Sequence, residues 1–262
     1  RRQVDVLVPS SVARRFWCVA CTKPYTFPMD ALIRYFPQVD YDPCWQAMRN
    51  LTDHRNAQQN DELWVLEHPP VFTLGQAGKP EHVLNAGDIP VVNSDRGGQV
   101  TYHGPGQTVI YLMLDIKRLG LGSRGLVTAI EEGIIDFLAS LGIEAVNRDD
   151  APGVYVNGAK IASLGLRIRR GATYHGLAIN RDMDLAPWQR INPCGHVGQP
   201  MTTLSEQGVV LDRHTMEQQL VTLLAKRLGL MPRTAPAPDW YNDISELPPA
   251  QHSPSTCPER RP

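Results

Sequence analysis

A chain of 262 residues with 42% hydrophobic content has the material for one large domain, or two small ones, around a real core. Its net charge of -1 gives no bulk electrostatic case for nucleic acid or an anionic membrane surface, and no apolar run approaches the ~18–20 residues of a membrane span. Five cysteines, an odd number scattered over a long chain, form no disulfide framework and fit a reducing compartment.

Residues 1–30 lack clean periodicity and read as a loose leader. Arg1, Arg2, Arg14 and Arg15 with few acids have a transit-type composition, and Met29 is then a candidate start. Cys18-Val19-Ala20-Cys21 has the spacing of half a zinc site, but no second ligand pair follows nearby, so no metal is expected. The ordered domain is expected over residues 31–231. It opens with a strand at Leu32-Ile33-Arg34-Tyr35. Asp42-Pro43 reads as a helix N-cap and first helical residue, with Ala47, Met48 and Leu51 on the apolar side. Asp53 to Asp61 reads as a polar loop. Glu62–Glu67 and Val71–Leu74 are strands separated by His68-Pro69-Pro70.

Arg96-Gly97-Gly98-Gln99-Val100-Thr101-Tyr102-His103-Gly104-Pro105-Gly106-Gln107 holds four glycines and one proline in its span, which rules out an ordinary helix. A short strand from Gln99 to Tyr102 fits between the glycines, whose missing Cβ atoms let the backbone approach a neighbour closely. Thr108 to Asp115 is apolar enough to be a strand buried on both faces. Ser123 begins the clearest helix. Leu126, Val127, Ile130, Ile134, Phe137, Leu138 and Leu141 recur at three- and four-residue spacing, and Gly142 ends it.

Gly153–Val156 is a strand, Asn157-Gly158 a two-residue hairpin turn, and Lys160–Arg169 the returning strand. Arg170-Gly171 turns again into a strand from Tyr174 to Asn180. A last helix is expected from Thr215 to Leu228, with a Thr215…Gln218 capping box and Gly229 behind it. Residues 232–262 are Pro-rich and poor in aliphatics and read as a disordered tail. Strands outnumber helices without alternating regularly with them. The fold class is therefore α+β, a mixed β-sheet with flanking helices.

Two residues carry the chemistry. Cys194 lies in Asn192-Pro193-Cys194-Gly195, a polar turn whose backbone N–H groups can face an oxyanion. A small buried hydrophobe is the plain alternative for a single cysteine. Of the 26 Lys and Arg residues only five are lysine, and Lys160 starts a strand beside a tight turn. An ammonium near a thiol favours the thiolate, the nucleophilic form of a group with a free pKa of ~8.5. At ~4 Å and an effective dielectric near 20 the two charges attract by about 4 kcal/mol. An amine also shuttles protons, which a guanidinium does not. His103 and His175 are rival partners for the thiol, and neither they nor His68 and His196 match a zinc spacing.

The glycine-rich motif Arg96–Gln107, Gly158-Ala159-Lys160-Ile161-Ala162-Ser163-Leu164-Gly165-Leu166-Arg167, His175-Gly176-Leu177-Ala178 and Ile191-Asn192-Pro193-Cys194-Gly195 together resemble the lipoyl(octanoyl) transferase family, over about Leu32 to Leu230. The resemblance implies the catalytic fold of lipoate and biotin protein ligases and a cytoplasmic acyltransferase of lipoate biosynthesis that needs no cofactor. It implies Cys194 as the catalytic nucleophile and Lys160 as the partner that lowers its pKa. It places substrate contacts on Arg96, Gly97, Gly98, Gln99, Val100, Thr101, Tyr102 and His103, on Ser163, Leu164 and Gly165, and on Gly176, Leu177 and Ala178. The implied donor is octanoyl-acyl carrier protein. The implied acceptors are lipoyl domains of 2-oxo acid dehydrogenase complexes and the glycine cleavage H protein, with no nucleic acid and no membrane. An ATP-dependent lipoate or biotin protein ligase and a non-catalytic carrier-binding module are the alternatives. Arg167, Arg169 and Arg170 lie close together on one strand and turn, and some of them are expected to face an acidic carrier protein, a solvated strand edge being the plain alternative.

Overall fold

The computed structural model describes residues 29–195 and 197–241. Strand β1 (Met29–Gln38) is followed by helix α1 (Tyr41–Asp53), which carries the chain back so that β2 (Asp61–Glu67) pairs with β1 in parallel. Then come β3 (Val71–Leu74), β4 (Val91–Asn93), β5 (Val100–His103) and β6 (Gln107–Met113). Short helix α2 (Ile116–Leu119) and long helix α3 (Ser123–Ser140) lead to β7 (Val146–Asn147) and β8 (Gly153–Val156). β9 (Ala159–Arg169), β10 (Ala172–Asn180), α4 (Arg213–Leu228) and β11 (Leu230–Thr234) complete the described chain.

The large sheet runs β11-β1-β2-β6-β10-β9-β8-β7, and β4-β3-β5 form a small second sheet. Strands β2, β6 and β10 are buried along their whole length, as the continuous apolar pattern at Thr108–Asp115 requires. Alternate residues of the large sheet serve two cores. One face takes α3 and α4, with Leu126, Ile130, Ile134 and Phe137 packed on Leu63, Ile110 and Leu177. The other takes α1, with Cys44 and Met48 packed on Trp64, Val109, Tyr111 and Ala178. At ~1.5–3 kcal/mol for each fully buried large aliphatic side chain, these two layers fix the sheet in place. The two hairpin turns take the left-handed backbone expected of them, at Asn157-Gly158 (φ 50° and 82°) and Arg170-Gly171 (φ 53° and 85°).

Four expectations change. The N-cap of α1 is Asp40, so Pro43 is the third helical residue. Proline is tolerated anywhere in the first turn because those N–H groups have no intrahelical acceptor. Asp212 caps α4 by accepting from the Thr215 N–H at 3.0 Å, so the Thr215…Gln218 box does not form, and Gln218 instead meets His214. Pro232 does not begin a tail. It lies in β11, an edge strand parallel to β1, where a missing N–H costs no ladder bond. Further on, Trp240 packs on Trp64 and Phe36 with ring centroids 5.0 and 5.6 Å away. Met29 and Asp30, assigned to the leader, already belong to β1, while residues 1–28 with the cysteine pair and residues 242–262 lie outside the described residues.

Candidate active site

Small residues on adjacent strands open a groove in the α1 face of the large sheet. Gly165 of β9 pairs with Gly176 of β10, and Ser163 pairs with Ala178. Across β10, Gly176 faces Tyr111 and Ala178 faces Val109. A Cβ on Gly176 would lie 2.0 Å from the Ile110 carbonyl oxygen, so this position admits no side chain. Over the groove runs the loop 96–99. Its Gly97 N–H donates to the Leu166 carbonyl at 3.0 Å, and a Cβ on Gly165 would come within 3.0 Å of the Gly97 oxygen. Gly98 holds φ 89°, a conformation that favours glycine.

Between the groove and this loop lies a pocket. From the glycine-rich motif Arg96, Gly98, Gln99, Val100, Thr101 and His103 line it. From the large sheet Ser163, Leu164, Gly165, Gly176, Leu177 and Ala178 line it. Gly97 faces a second, more open pocket that shares Gly98, Gln99, Leu164 and Gly165 with the first and extends to Pro152 and Arg167. Tyr102 points away from both. Strand alternation turns its ring toward Phe72 and Trp188, so its part is packing.

Three lining residues carried no signal in the sequence, namely Tyr41, Val109 and Tyr111. Tyr41 and Tyr111 are part of a buried polar shell. His68 sits between the Val39 carbonyl (Nδ1, 2.5 Å) and the Tyr111 hydroxyl (Nε2, 2.6 Å). A carbonyl only accepts, so Nδ1 carries the hydrogen and Nε2 accepts from the tyrosine. Burial holds His68 neutral and lowers its pKa to about 4. His103 is held by Gln107, Nδ1 to Oε1 at 2.7 Å, and burial with His68 nearby lowers its pKa well below the usual value. His175 has φ 60° and donates from Nε2 to Asp95 at 3.0 Å. Burial lowers its pKa, against the opposing pull of Asp95. Asp95 also receives Trp45 Nε1 at 2.8 Å and the Tyr174 hydroxyl. Burial raises its carboxyl, but the bonds from His175, Tyr174 and Trp45 outweigh that and hold it below the usual carboxylate range.

Lys160 is 1% exposed. Its ammonium donates to the Pro152 carbonyl at 3.1 Å and stands 5.2 Å from the centre of the Tyr155 ring. Its backbone is strapped to the 200–202 segment, by its N–H to the Pro200 carbonyl at 2.8 Å and its carbonyl to the Thr202 N–H at 3.1 Å. The Pro193–Gly195 turn that carries Cys194 begins the same loop. That turn sits beside Gln99, since a Cβ on Gly195 would stand 3.7 Å from the Gln99 Cγ. The loop thus runs from the wall shared by both pockets to the backbone of Lys160. Cys44, by contrast, is fully buried under α1 and its thiol pKa is pushed up by burial.

The basic stretch on β9 is tied to its own fold. Arg169 pairs with Asp53 at 3.0 Å, Arg170 donates to the Asp53 carbonyl at 3.1 Å, and Arg167 donates to Gln76 at 2.6 Å. Among the described residues no cluster of three His, Cys, Asp or Glu side chains is placed to hold a metal, and no helix is long and apolar enough to cross a membrane.

The lipoyl protein ligase A/B catalytic domain model matches residues 40–225. The octanoyltransferase of Alcanivorax borkumensis is 86% identical over 223 residues, covering 85% of this chain and 91% of the relative. That of Chromobacterium violaceum is 55% identical over 207 residues, covering 79% of this chain and 100% of the relative. Among solved structures, lipoate-protein ligase A bound with ATP superposes with a TM-score of 0.67 at 13% identity, covering 83% of this chain and 92% of the other. A bipartite lipoate protein ligase from Thermoplasma acidophilum also gives 0.67 at 13% identity, covering 83% and 91%. At that identity the likeness is one of fold.

Proposed function

The chain belongs to the octanoyltransferases of the lipoyl protein ligase A/B catalytic-domain family and is an acyltransferase, and on that premise we propose that it moves an octanoyl group from acyl carrier protein to the acceptor lysine of lipoyl domains through a thioester on Cys194. The buried Lys160, whose backbone is strapped to the loop that carries Cys194, is the observation that supports this reading. The Cys194 thiolate attacks the carbonyl carbon of the carrier thioester. The tetrahedral adduct collapses, and the phosphopantetheine thiolate leaves with a proton from Lys160. The acceptor lysine, as a neutral amine, attacks the Cys194 thioester, and the neutral Lys160 amine takes the one proton its nitrogen gives up. An amide forms, the Cys194 thiolate is released, and Lys160 is an ammonium again. A thioester exchanged for an amide needs no ATP.

In this reading the inner pocket holds the acyl chain. Gly98, Gln99, Leu164 and Gly165, shared with the outer pocket, mark its mouth, and Tyr41, Val109, Tyr111 and Ala178 stand deeper. At roughly 0.8 kcal/mol per buried methylene, six or seven of them contribute about 5 kcal/mol. The outer pocket, with Pro152 and Arg167, is where carrier arm and acceptor lysine enter. Acceptors in this role are the lipoyl domains of 2-oxo acid dehydrogenase complexes and the glycine cleavage H protein, in the cytoplasm.

The test is intact-protein mass spectrometry after incubation with octanoyl-carrier protein and no nucleotide. An octanoyl mass that maps to Cys194 and passes to an added lipoyl domain is expected. Cys194→Ala and Cys194→Ser should gain none while keeping their melting temperature. Transfer that requires ATP would make the chain a ligase, and binding without acylation would make it a carrier-binding module.

A further inference from the structure

Glu131 is a carboxylate on α3 that the reaction above does not use, yet it is buried at 5% exposure. Its Oε1 accepts from the Gly153 N–H at 2.9 Å, and its Oε2 accepts from Asn147 Nδ2 at 3.2 Å. The Gly153 N–H belongs to the same peptide group as the Pro152 carbonyl, and that carbonyl accepts from Lys160 Nζ at 3.1 Å. In a trans peptide the N–H and C=O point in opposite directions. The carboxylate and the ammonium therefore grip one peptide unit from its two sides. A carboxylate pulling on the N–H polarises the amide, makes its oxygen a stronger acceptor and strengthens the bond to the ammonium.

Gly153 is shaped for this contact. It holds φ 143°, and a Cβ there would stand 2.8 Å from Lys160 Cε and 3.1 Å from Nζ. The lysine stem lies against bare backbone. Glu131 itself occupies a core-facing place on α3, where a leucine would pack as well and a carboxylate is costly to bury unless something needs its charge.

We propose that Glu131 is a positioning residue for Lys160, acting through the Pro152–Gly153 peptide to fix the ammonium in place. The proposal rests on the reading of Lys160 as the partner of the Cys194 thiol. Among the described residues Tyr155 on β8 faces the ammonium, with Arg148 over the Tyr155 ring and Asp150 paired with Arg148.

The experiment measures Cys194 alkylation against pH, by mass spectrometry, with steady-state kinetics and melting temperature alongside. It compares wild type, Glu131→Gln, Glu131→Asp, Asn147→Ala and Lys160→Ala. Glu131→Gln keeps an acceptor for the Gly153 N–H but removes the charge. Its alkylation profile should move to higher pH, in the same direction as that of Lys160→Ala and by less. Its kcat should fall about tenfold, as for one weakened charge-assisted hydrogen bond, with KM for the donor little changed. Glu131→Asp, whose charge is retained, should recover part of the shift, and it serves as the test variant if Glu131→Gln does not fold. Asn147→Ala, which touches Glu131 but not the peptide, should leave the profile in place. If Lys160→Ala moves the profile and neither Glu131 variant does, the inference is overturned, even where the variants lose activity and melting temperature together. If Lys160→Ala itself leaves the profile unmoved, the pairing of Lys160 with Cys194 fails first and the inference with it.

Discussion

Lowering the pH from 7 to 5 should cost this protein stability through His68. The ring is fully buried, with both nitrogens used by Val39 and Tyr111, and its pKa falls from 6.5 to about 4 through burial. For a base whose folded pKa is depressed, the unfolded chain binds more protons between the two values, so stability falls as pH falls through that window. The full effect is roughly 3 kcal/mol below pH 4, and about 2 kcal/mol of it is lost between pH 7 and pH 5. His103 and His175 have pKa values lowered in the same sense and add to the slope.

The assay is urea unfolding followed by tryptophan fluorescence at pH 7, 6 and 5, for wild type and His68→Gln. Glutamine should cost ~1–3 kcal/mol at pH 7 by disturbing the two hydrogen bonds. Its stability should then fall by about 2 kcal/mol less than wild type between pH 7 and 5, because the group that titrates is gone. Equal losses in the two proteins over that range would refute the argument, since the ring would then be binding protons in the folded state.

Lys160→Arg keeps a positive charge but cannot release it near neutral pH, so single-turnover assays should show acyl-enzyme forming and transfer stalling. Because Lys160 is 1% exposed against Gly153, the melting temperature must be followed, and normal transfer would remove Lys160 as the base. Ala178→Leu fills the inner pocket opposite Val109. Displacing two methylenes of contact at ~0.8 kcal/mol each should move kcat/KM about fifteenfold from octanoyl toward hexanoyl donors, and an unchanged ratio would place the acyl chain elsewhere. Charge reversal at Arg169 and Arg170, which tie β9 to the end of α1, should lower the melting temperature and slow carrier-bound and small thioester donors alike. A KM increase confined to the carrier-bound donor would instead make them a docking face.

Features set by local chemistry were legible in the sequence. The α3 stripe, the Asn157-Gly158 and Arg170-Gly171 turns and the doubly buried β6 all follow from residues a few positions apart. What escaped depends on register and on contacts made far along the chain. Tyr41 and Tyr111 look like ordinary core residues until β6, β10 and α1 are stacked. Tyr102 sits inside the motif, yet the alternation of a four-residue strand turns it away. The stretch from Pro232 has the composition of a tail, and only the unpaired edge of β1 and the rings of Phe36 and Trp64 explain why it stays. Glu131 did leave a trace. It lies four residues after Val127 and three before Ile134, on the core side of a helix whose stripe is otherwise apolar.

Arg96 shows how the motif divides its work. Its sequence position marks it for a substrate contact, and it does line the pocket. Its guanidinium donates to Thr73 Oγ1 at 3.0 Å, to the Thr73 carbonyl at 2.6 Å, to the Gly97 carbonyl at 2.9 Å and to the Gln99 carbonyl at 2.7 Å. A rigid fork of five N–H donors is what such a set of acceptors requires, and a lysine ammonium could not reach them together. Around it the loops 75–78 and 96–99 interlock as bare backbone, with a Cβ on Gly75 only 2.4 Å from the Gly98 oxygen. The roof of the pocket is therefore main chain braced by one buried cation, and the floor is main chain stripped of side chains at Gly165 and Gly176. Roof and floor built this way cannot move apart by rotating a side chain. In the proposed reaction, that rigidity places the thioester carbon at the mouth, because the acyl chain behind it has one length of channel to fill.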